Sequence, residues 1–304
     1  MAEETRRAVF AAITGNLLIA VSKFVAAAFS SSSAMLAEAI HSLVDTGNGA
    51  LMLYGMRRSH KAADAVHPFG YGRELYFWTL VVGIVVFAVG GGMSMVTGLA
   101  HIAHPEPARH DAWNYGVLAI AAVFEASSWY FGFKAFSVER RGRGVVETIR
   151  ATKDPTSFSV LLEDSAALLG LLFAFVGVAT SAVLDAPWID GASSVLIGVL
   201  LCLVAFVMVG ESKELLVGEG VDRKTLAHLR QLLEQEAVIE TIDKLLTVYL
   251  GPQEVVLAIG VRFRSNVPAA EIRQALGRLR TSIQAQYPRI RHIFLDTSSI
   301  VAVT

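Results

Sequence analysis

Cysteine is almost absent: Cys202 is the single one, and it lies in an apolar run, so a disulfide framework is excluded. Charge is scarce as well, at 17% of 304 residues against 54% hydrophobic, where a soluble domain carries about 25% charged residues. The mean hydropathy is +0.52. A net charge of −1 leaves no basic footprint for nucleic acid. There is no glycine-rich phosphate loop, nucleophile elbow or internal repeat, and nothing marks a catalytic or permanent cofactor site.

The charges present are unevenly spread. Residues 1–210 hold 14 Lys/Arg and 16 Asp/Glu, whereas the much shorter segment 211–304 holds 12 and 11. The contrast predicts an α-helical membrane domain over 1–210 and a small cytosolic α+β domain over 211–304. A bilayer core needs about 20 mostly apolar helical residues. Six stretches qualify: Ala8 to Ser30, Ala34 to Gly55, Leu75 to Ala100, Trp113 to Phe133, Phe158 to Leu184 and Gly191 to Gly210. The first follows Arg6 and Arg7 but is too long for a signal-peptide core and lacks a small-residue cleavage site. In the third, Gly90-Gly91-Gly92 would permit close backbone approach.

Twelve basic residues fall in the N-terminal arm and in the loops after the second and fourth spans, while the opposite loops hold Arg109 alone. By the positive-inside rule both termini are then cytoplasmic, in a plasma or inner membrane by default. In the tail, Asp222 is a candidate N-cap for a helix to about Glu236. Ile239 to Leu250 and Glu254 to Arg264 read as strands around a Gly251-Pro252 turn. Pro268 opens a helix to about Gln286, and Ile290 to Thr297 reads as a third strand. The order is αββαβ.

Ionisable residues inside the spans are the chemical signal, because each is costly in hydrocarbon. His41 and Asp45 sit four apart in Ala37–Asn48, on one helical face. Imidazole and carboxylate are ligand types that zinc accepts, though the same pair would also serve as an interhelical hydrogen bond. Glu163 and Asp164 are adjacent in the fifth span, either at a wet helix end or facing the bundle interior, where the second span would meet them. One histidine with two or three carboxylates suits Zn²⁺, and also Mn²⁺ or Fe²⁺. Protons compete with metal for such ligands. Lys23 and Glu125 are expected to neutralise one another across the first and fourth spans. Glu38 shares the face of His41 and Asp45. Asn16 lies near them. His101, His104 and His110 fall in an outer loop.

The spans, the His41-Ser42-Leu43-Val44-Asp45 pair, the fifth-span carboxylate and the tail together resemble the cation diffusion facilitator family. The loop Asp64-Ala65-Val66-His67-Pro68-Phe69-Gly70-Tyr71-Gly72-Arg73-Glu74, running into Leu75-Tyr76-Phe77-Trp78, is similar to its zinc transporter 9-like branch. The resemblance covers essentially the whole chain. It implies a homodimer in the lipid bilayer that exchanges Zn²⁺, or a related ion such as Mn²⁺, Fe²⁺ or Co²⁺, for protons. Its transport site would take two ligands from the second span and two from the fifth: His41, Asp45, Asp164 and, since the family's further fifth-span histidine is replaced by Val160, Glu163. A second family site would use Asp64 and His67, but a third ligand position there is Tyr71; the alternative is that His67 and Arg73 tie the loop to the tail. The tail has only His228 and His292, with Asp296 four beyond, so a dimerising role is expected rather than a metal cluster. A non-transporting metal sensor or scaffold, favoured by Val160, and a membrane metalloenzyme are the rival readings.

Overall fold

A computed structural model describes residues 2–105, 112–140, 144, 148–149 and 153–296. The chain forms two compact units, one of Met1–Arg57 with Leu75–Lys213, the other of Arg58–Glu74 with Glu214–Thr304.

The first unit is helical: α1 (Ala2–Ser30), α2 (Ser33–Ser59), α3 (Glu74–Val85), a π-helical turn (Val86–Gly92), α4 (Met93–Ala103), α5 (Ala112–Arg140), α6 (Pro155–Leu184) and α7 (Trp188–Val217). Several helices outrun the apolar windows of the sequence, since a helix continues through the polar residues beyond the hydrocarbon. Among the described residues, four segments are long and apolar enough to cross a membrane: Glu74–Ala103, Tyr115–Lys134, Phe158–Leu184 and Trp188–Val217. Asn16–Ser30 is a shorter apolar stretch. The 27-residue α2 has the length, but its polar face lowers its hydropathy.

Local signals explain the helix ends. Asp154 caps α6, accepting from Thr156 N at 3.1 Å, and Pro155 follows at the first helical position. The N-terminus of α2 is capped from another helix. The fully buried Asp190 carboxylate, in the first turn of α7, accepts from Ser32 Oγ (2.6 Å), Ser33 N (2.5 Å), Ser33 Oγ (2.9 Å) and Ala34 N (3.3 Å). A carboxylate at a helix N-terminus satisfies otherwise orphaned N–H groups and complements the dipole.

Between the α3–α4 segment and α7 the backbones nearly touch. A Cβ added to Gly98 would stand 2.7 Å from Gly191 O, and one on Gly198 2.8 Å from Gly91 O. Only glycine allows that approach. The core of the unit joins Ala34, Met35 and Ile40 of α2 to Val82, Leu118, Leu171, Ile197 and Leu201.

The second unit contains α8 (Arg223–Glu234), β1 (Ile239–Gly251), β2 (Glu254–Phe263), α9 (Ala269–Gln286) and β3 (Ile290–Asp296). Asp222 caps α8, accepting from Lys224 N at 2.9 Å and Thr225 N at 3.1 Å. The sheet order is β1-β2-β3. β1 and β2 form an antiparallel hairpin with Leu245 opposite Ile259, and β3 runs parallel to β2 with His292 opposite Val256. Alternate β2 residues Val255, Leu257, Ile259 and Val261 are buried with Leu229 and Leu233 of α8 and Ala275, Leu279 and Ile283 of α9. The period-2 pattern thus turns one face of β2 to the helices. The loop Arg58–Glu74 joins this unit through Phe69, whose ring meets His292 at 5.6 Å edge-on, and through Gly72, where a Cβ would collide with Leu250 O.

Candidate metal site

α2 carries Glu38, His41, Asp45 and Asn48 at spacings of three, four and three residues, a polar stripe on one face of a helix whose Leu43, Leu53 and Tyr54 are exposed. At 1.5 Å per residue the stripe runs about 15 Å along the axis. Its two ends are occupied differently. At the Glu38 end, Lys23 Nζ of α1 pairs with Glu38 Oε2 at 3.1 Å and donates to Ser42 Oγ at 2.7 Å, with both charged side chains fully buried. At the other end, Asn48 Nδ2 donates to Glu163 Oε1 at 3.1 Å. Glu163 lies beside Asp45, close enough for the two carboxyls to interact.

Asp164, one residue on from Glu163, points elsewhere, as adjacent helical residues must at about 100° per residue. Its Oδ2 accepts from Ser128 Oγ of α5 at 2.8 Å. One residue further, Trp129 Nε1 donates to Ser165 Oγ at 3.0 Å, and Ser165 donates to Leu161 O of its own helix at 2.6 Å. The Ser128–Asp164 and Trp129–Ser165 bonds hold α5 against α6. Between α1, α2, α5 and α6 lies a cavity of about 450 Å³ whose polar wall is Asn16, Asp45, Glu125, Ser128 and Asp164, with Val160 beside them. Carboxylates from three helices therefore reach one space, and oxygen donors of this kind hold divalent cations.

His41 is 4% exposed, and its Nε2 has no hydrogen-bond partner. It does not line that cavity among the described residues, although it lies within reach of the Lys23 charge. Of the four membrane residues expected to bind metal, the structure thus brings Asp45 and Asp164 to one cavity. Glu163 sits behind Asp45, and His41 on the same stripe one turn away. No group of three or more His, Cys, Asp or Glu stands in metal-binding array among the described residues.

The family model of the cation efflux transmembrane domain matches residues 9–217. This chain belongs to the cation efflux family. Its zinc transporter 9-like character shows in the relatives. It is 29% identical over 263 residues to the mouse protein named proton-coupled zinc antiporter SLC30A9, mitochondrial, covering 86% of this chain and 45% of that one. It is 28% identical to metal tolerance protein C4 of Arabidopsis thaliana, over 82% of this chain and 55% of the relative. With the manganese efflux system protein MneS of Bacillus subtilis it shares 21% identity, over 79% and 77%. The chain spans about half the length of the first two. The matched region is the family's transmembrane domain, so the helical unit is the part that the family model describes.

Within this cation efflux protein, three groups at the site were missed or misassigned by sequence reasoning. Asn48 continues the α2 stripe by one more turn and was legible as an amide in an apolar run. The expected Lys23–Glu125 pair is present at 4.0 Å, but Glu38 was not read as a partner of Lys23, and it makes the shorter contact, at 3.1 Å. The two-residue link between α1 and α2 makes them adjacent antiparallel helices, so Lys23 and Glu38 meet across that hairpin. Ser128 carries no sequence signal at all.

The loop residues are engaged locally. Asp64 Oδ1 accepts from His67 N (2.8 Å) and Val66 N (3.0 Å), and Oδ2 from Tyr71 Oη (2.7 Å) and Lys61 Nζ (3.2 Å). The Tyr71 bond first, then the His67 amide and Lys61, hold the Asp64 carboxyl well below the usual range. Tyr71, then Asp64, push Lys61 up in turn. His67 Nδ1 stands 3.5 Å from Asp64 Oδ1, and its ring lies 4.2 Å from that of Tyr71. In the tail, His228 bonds Tyr287 Oη and His292 bonds Glu254 at 2.8 Å. At the far end of α4, His101 Nε2 is 3.9 Å from Asp190 Oδ2, and His101 and His104 border a separate cavity of about 620 Å³. His110 lies outside the described residues.

Proposed function

We propose that this protein is a six-span carrier that moves a divalent cation, Zn²⁺ first, out of the cytosol in exchange for protons, as a homodimer with both termini cytoplasmic. The observation that carries the reading is the cavity in which Asp45 of α2 and Asp164 of α6 face one another. His41 and Glu163 complete the ligand set when the ion is bound, His41 through its unpartnered Nε2 and Glu163 from behind Asp45. The closeness of the Asp45 and Glu163 carboxyls supports proton exchange. Protons and metal compete for the same oxygens, so metal entering from one side expels protons, and protonation on the other side releases the metal.

Six spans follow from α1 and α2 joining the four strongly apolar segments, α2 crossing with its polar stripe turned inward. The relatives named for zinc and for manganese frame the choice of ion. Hydrophobic groups exposed on the second unit, Leu246, Phe294 and Phe69, support pairing of two tails. Asp64 and His67 are assigned to the loop's own turn, because four donors already fill the Asp64 oxygens.

Ion uptake into proteoliposomes under a pH gradient, with Zn²⁺, Mn²⁺, Fe²⁺ and Co²⁺ compared, tests the reading. Gradient-driven flux should be lost in Asp45→Asn and in Asp164→Asn, with both variants still in the membrane. A folded dimer that moves none of the four ions would instead be a sensor or scaffold.

A further inference from the structure

The buried ammonium of Lys23 is not accounted for by the ligand set. It lies seven residues from Asn16 on α1, hence two turns along the helix face that borders the ion cavity. Its Nζ is held by Glu38 at 3.1 Å and Ser42 at 2.7 Å, and Glu125 Oε1 stands at 4.0 Å. An ammonium has three N–H donors. Two are used by Glu38 and Ser42, and the third is the one that can turn to Glu125. Glu125 is itself a wall of the cavity that Asp45 and Asp164 line, and it feels the charges of Lys23, Asp45 and Asp164.

A buried ion pair kept for stability is expected to fill its remaining hydrogen-bonding positions. This one does not. Glu38 Oε1 is buried without a hydrogen-bond partner, pressed against the backbone of Gly170. Lys23 is thus a buried positive charge placed between a carboxylate outside the cavity, itself incompletely satisfied, and a carboxylate inside it.

We propose that Lys23 is a tethered counter-cation that sets how tightly the transport site holds its ion. When the site is empty, the ammonium partly neutralises Glu125 and hence the acidic cavity. When a divalent ion arrives at Asp45 and Asp164, it competes with Lys23 for Glu125 and is repelled by it, and Lys23 is left to Glu38. Like charges in a region shielded from water interact over several ångströms. The bound ion is therefore held less tightly than the carboxylates alone would hold it, and it leaves faster. Lys23 acts on the ion through Glu125, as a positioning residue.

The inference rests on the transport reading, and the test separates the two. Initial rates of Zn²⁺ uptake by the full chain in proteoliposomes are measured against ion concentration for wild type, Lys23→Arg, Lys23→Met and the double variant Lys23→Met/Glu38→Gln. The double variant removes both members of the fully buried pair and leaves only Glu125, which borders the cavity, so it covers the case in which Lys23→Met does not fold. Expected is a KM lower by about tenfold, the effect of about 1.4 kcal/mol, together with a reduced kcat in the double variant, and near wild-type values in Lys23→Arg. A merely structural lysine would lower the amount of folded protein and leave KM per folded carrier unchanged; that result, or a raised KM, overturns the proposal while leaving transport intact. If wild type carries no divalent ion, the transport reading falls and the inference with it.

Discussion

At Gly170 of α6 an added Cβ would run into Glu38 Oε1. That oxygen is the end of a side chain, but one tied to Lys23 and buried, so it has little room to yield. Gly170→Ala is expected to break the Lys23–Glu38 pair and destabilise the protein by about 3 kcal/mol, the cost of an uncompensated buried charge. A thermal melt in detergent checks this, and Gly170→Ala melting with wild type would show that Glu38 can rotate away. Asp64 gives a prediction of another kind. Its carboxyl is lowered by hydrogen bonding, so the loop's stabilisation is fully present above the unfolded value of about 3.9 and is lost only as pH falls through the lower folded value. Lys61 is raised, so its share is present below about 10.4 and lost as pH rises through the higher folded value. An Asp64 carboxyl carbon signal should show no inflection between about pH 3 and 5 by the same reference values; a normal titration there would mean the turn is not held. Residues on one element were the legible ones: His41 and Asp45 declare themselves by spacing. Lys23 with Glu38, Ser128 with Asp164 and the Asp45–Glu163 contact join different helices. A linear pattern holds no record of which helix faces which.

Among the elements, α2 depends on α7 at its first turn. Four donors converge on Asp190, and truncating it leaves buried N–H and O–H groups without an acceptor. Asp190→Ala should cost about 2–3 kcal/mol, with Asp190→Asn milder because its carbonyl oxygen still accepts; circular dichroism melts of the full chain distinguish them. Equal melting of Asp190→Ala and wild type would make the clasp incidental. Gly98 is a second such dependence. Its Cβ would meet Gly191 O at 2.7 Å and Val195 N at 2.8 Å, both backbone, so Gly98→Leu must push α4 from α7. The positions of the helices and some of their ends, such as the Asp222 cap, were readable from apolar windows and capping residues. The π-helical turn was not, because three glycines announce closeness without saying how the turn widens. Nor was the Asp190 cap, which lies more than 150 residues from the helix it ends.

For the whole molecule, the division into an apolar and a charged part was visible in the charge density alone. The hairpin turn, the Asp222 cap and the strand positions of the tail were visible in its punctuation. The parallel pairing of β3 with β2 was not, since it is settled by the helix that crosses between them. The grouping of the loop Arg58–Glu74 with the second unit was legible only as an alternative, through His67 and Arg73; the residues whose contacts were hidden are Phe69 and Gly72. If the exposed face of that unit joins two chains, Leu246→Glu with Phe294→Glu should halve the mass found by light scattering in detergent and leave each chain folded. An unchanged mass would place the dimer contact elsewhere or remove it.

The wide turn at Val86–Gly92 has an implication for insertions and deletions. A π-helical turn accommodates one residue more than the α-helical ladder would. Losing one residue of that stretch would let the turn close into ordinary helix, and because the widened turn is what absorbs the extra residue, the helix beyond it would keep nearly the same facing. Gly98 would stay against Gly191, and His101 near Asp190. A residue lost from Met93–Ala103 meets no such slack, and everything after it would swing by about 100° around the axis. The span therefore tolerates a deletion within its wide turn far better than one just beyond it.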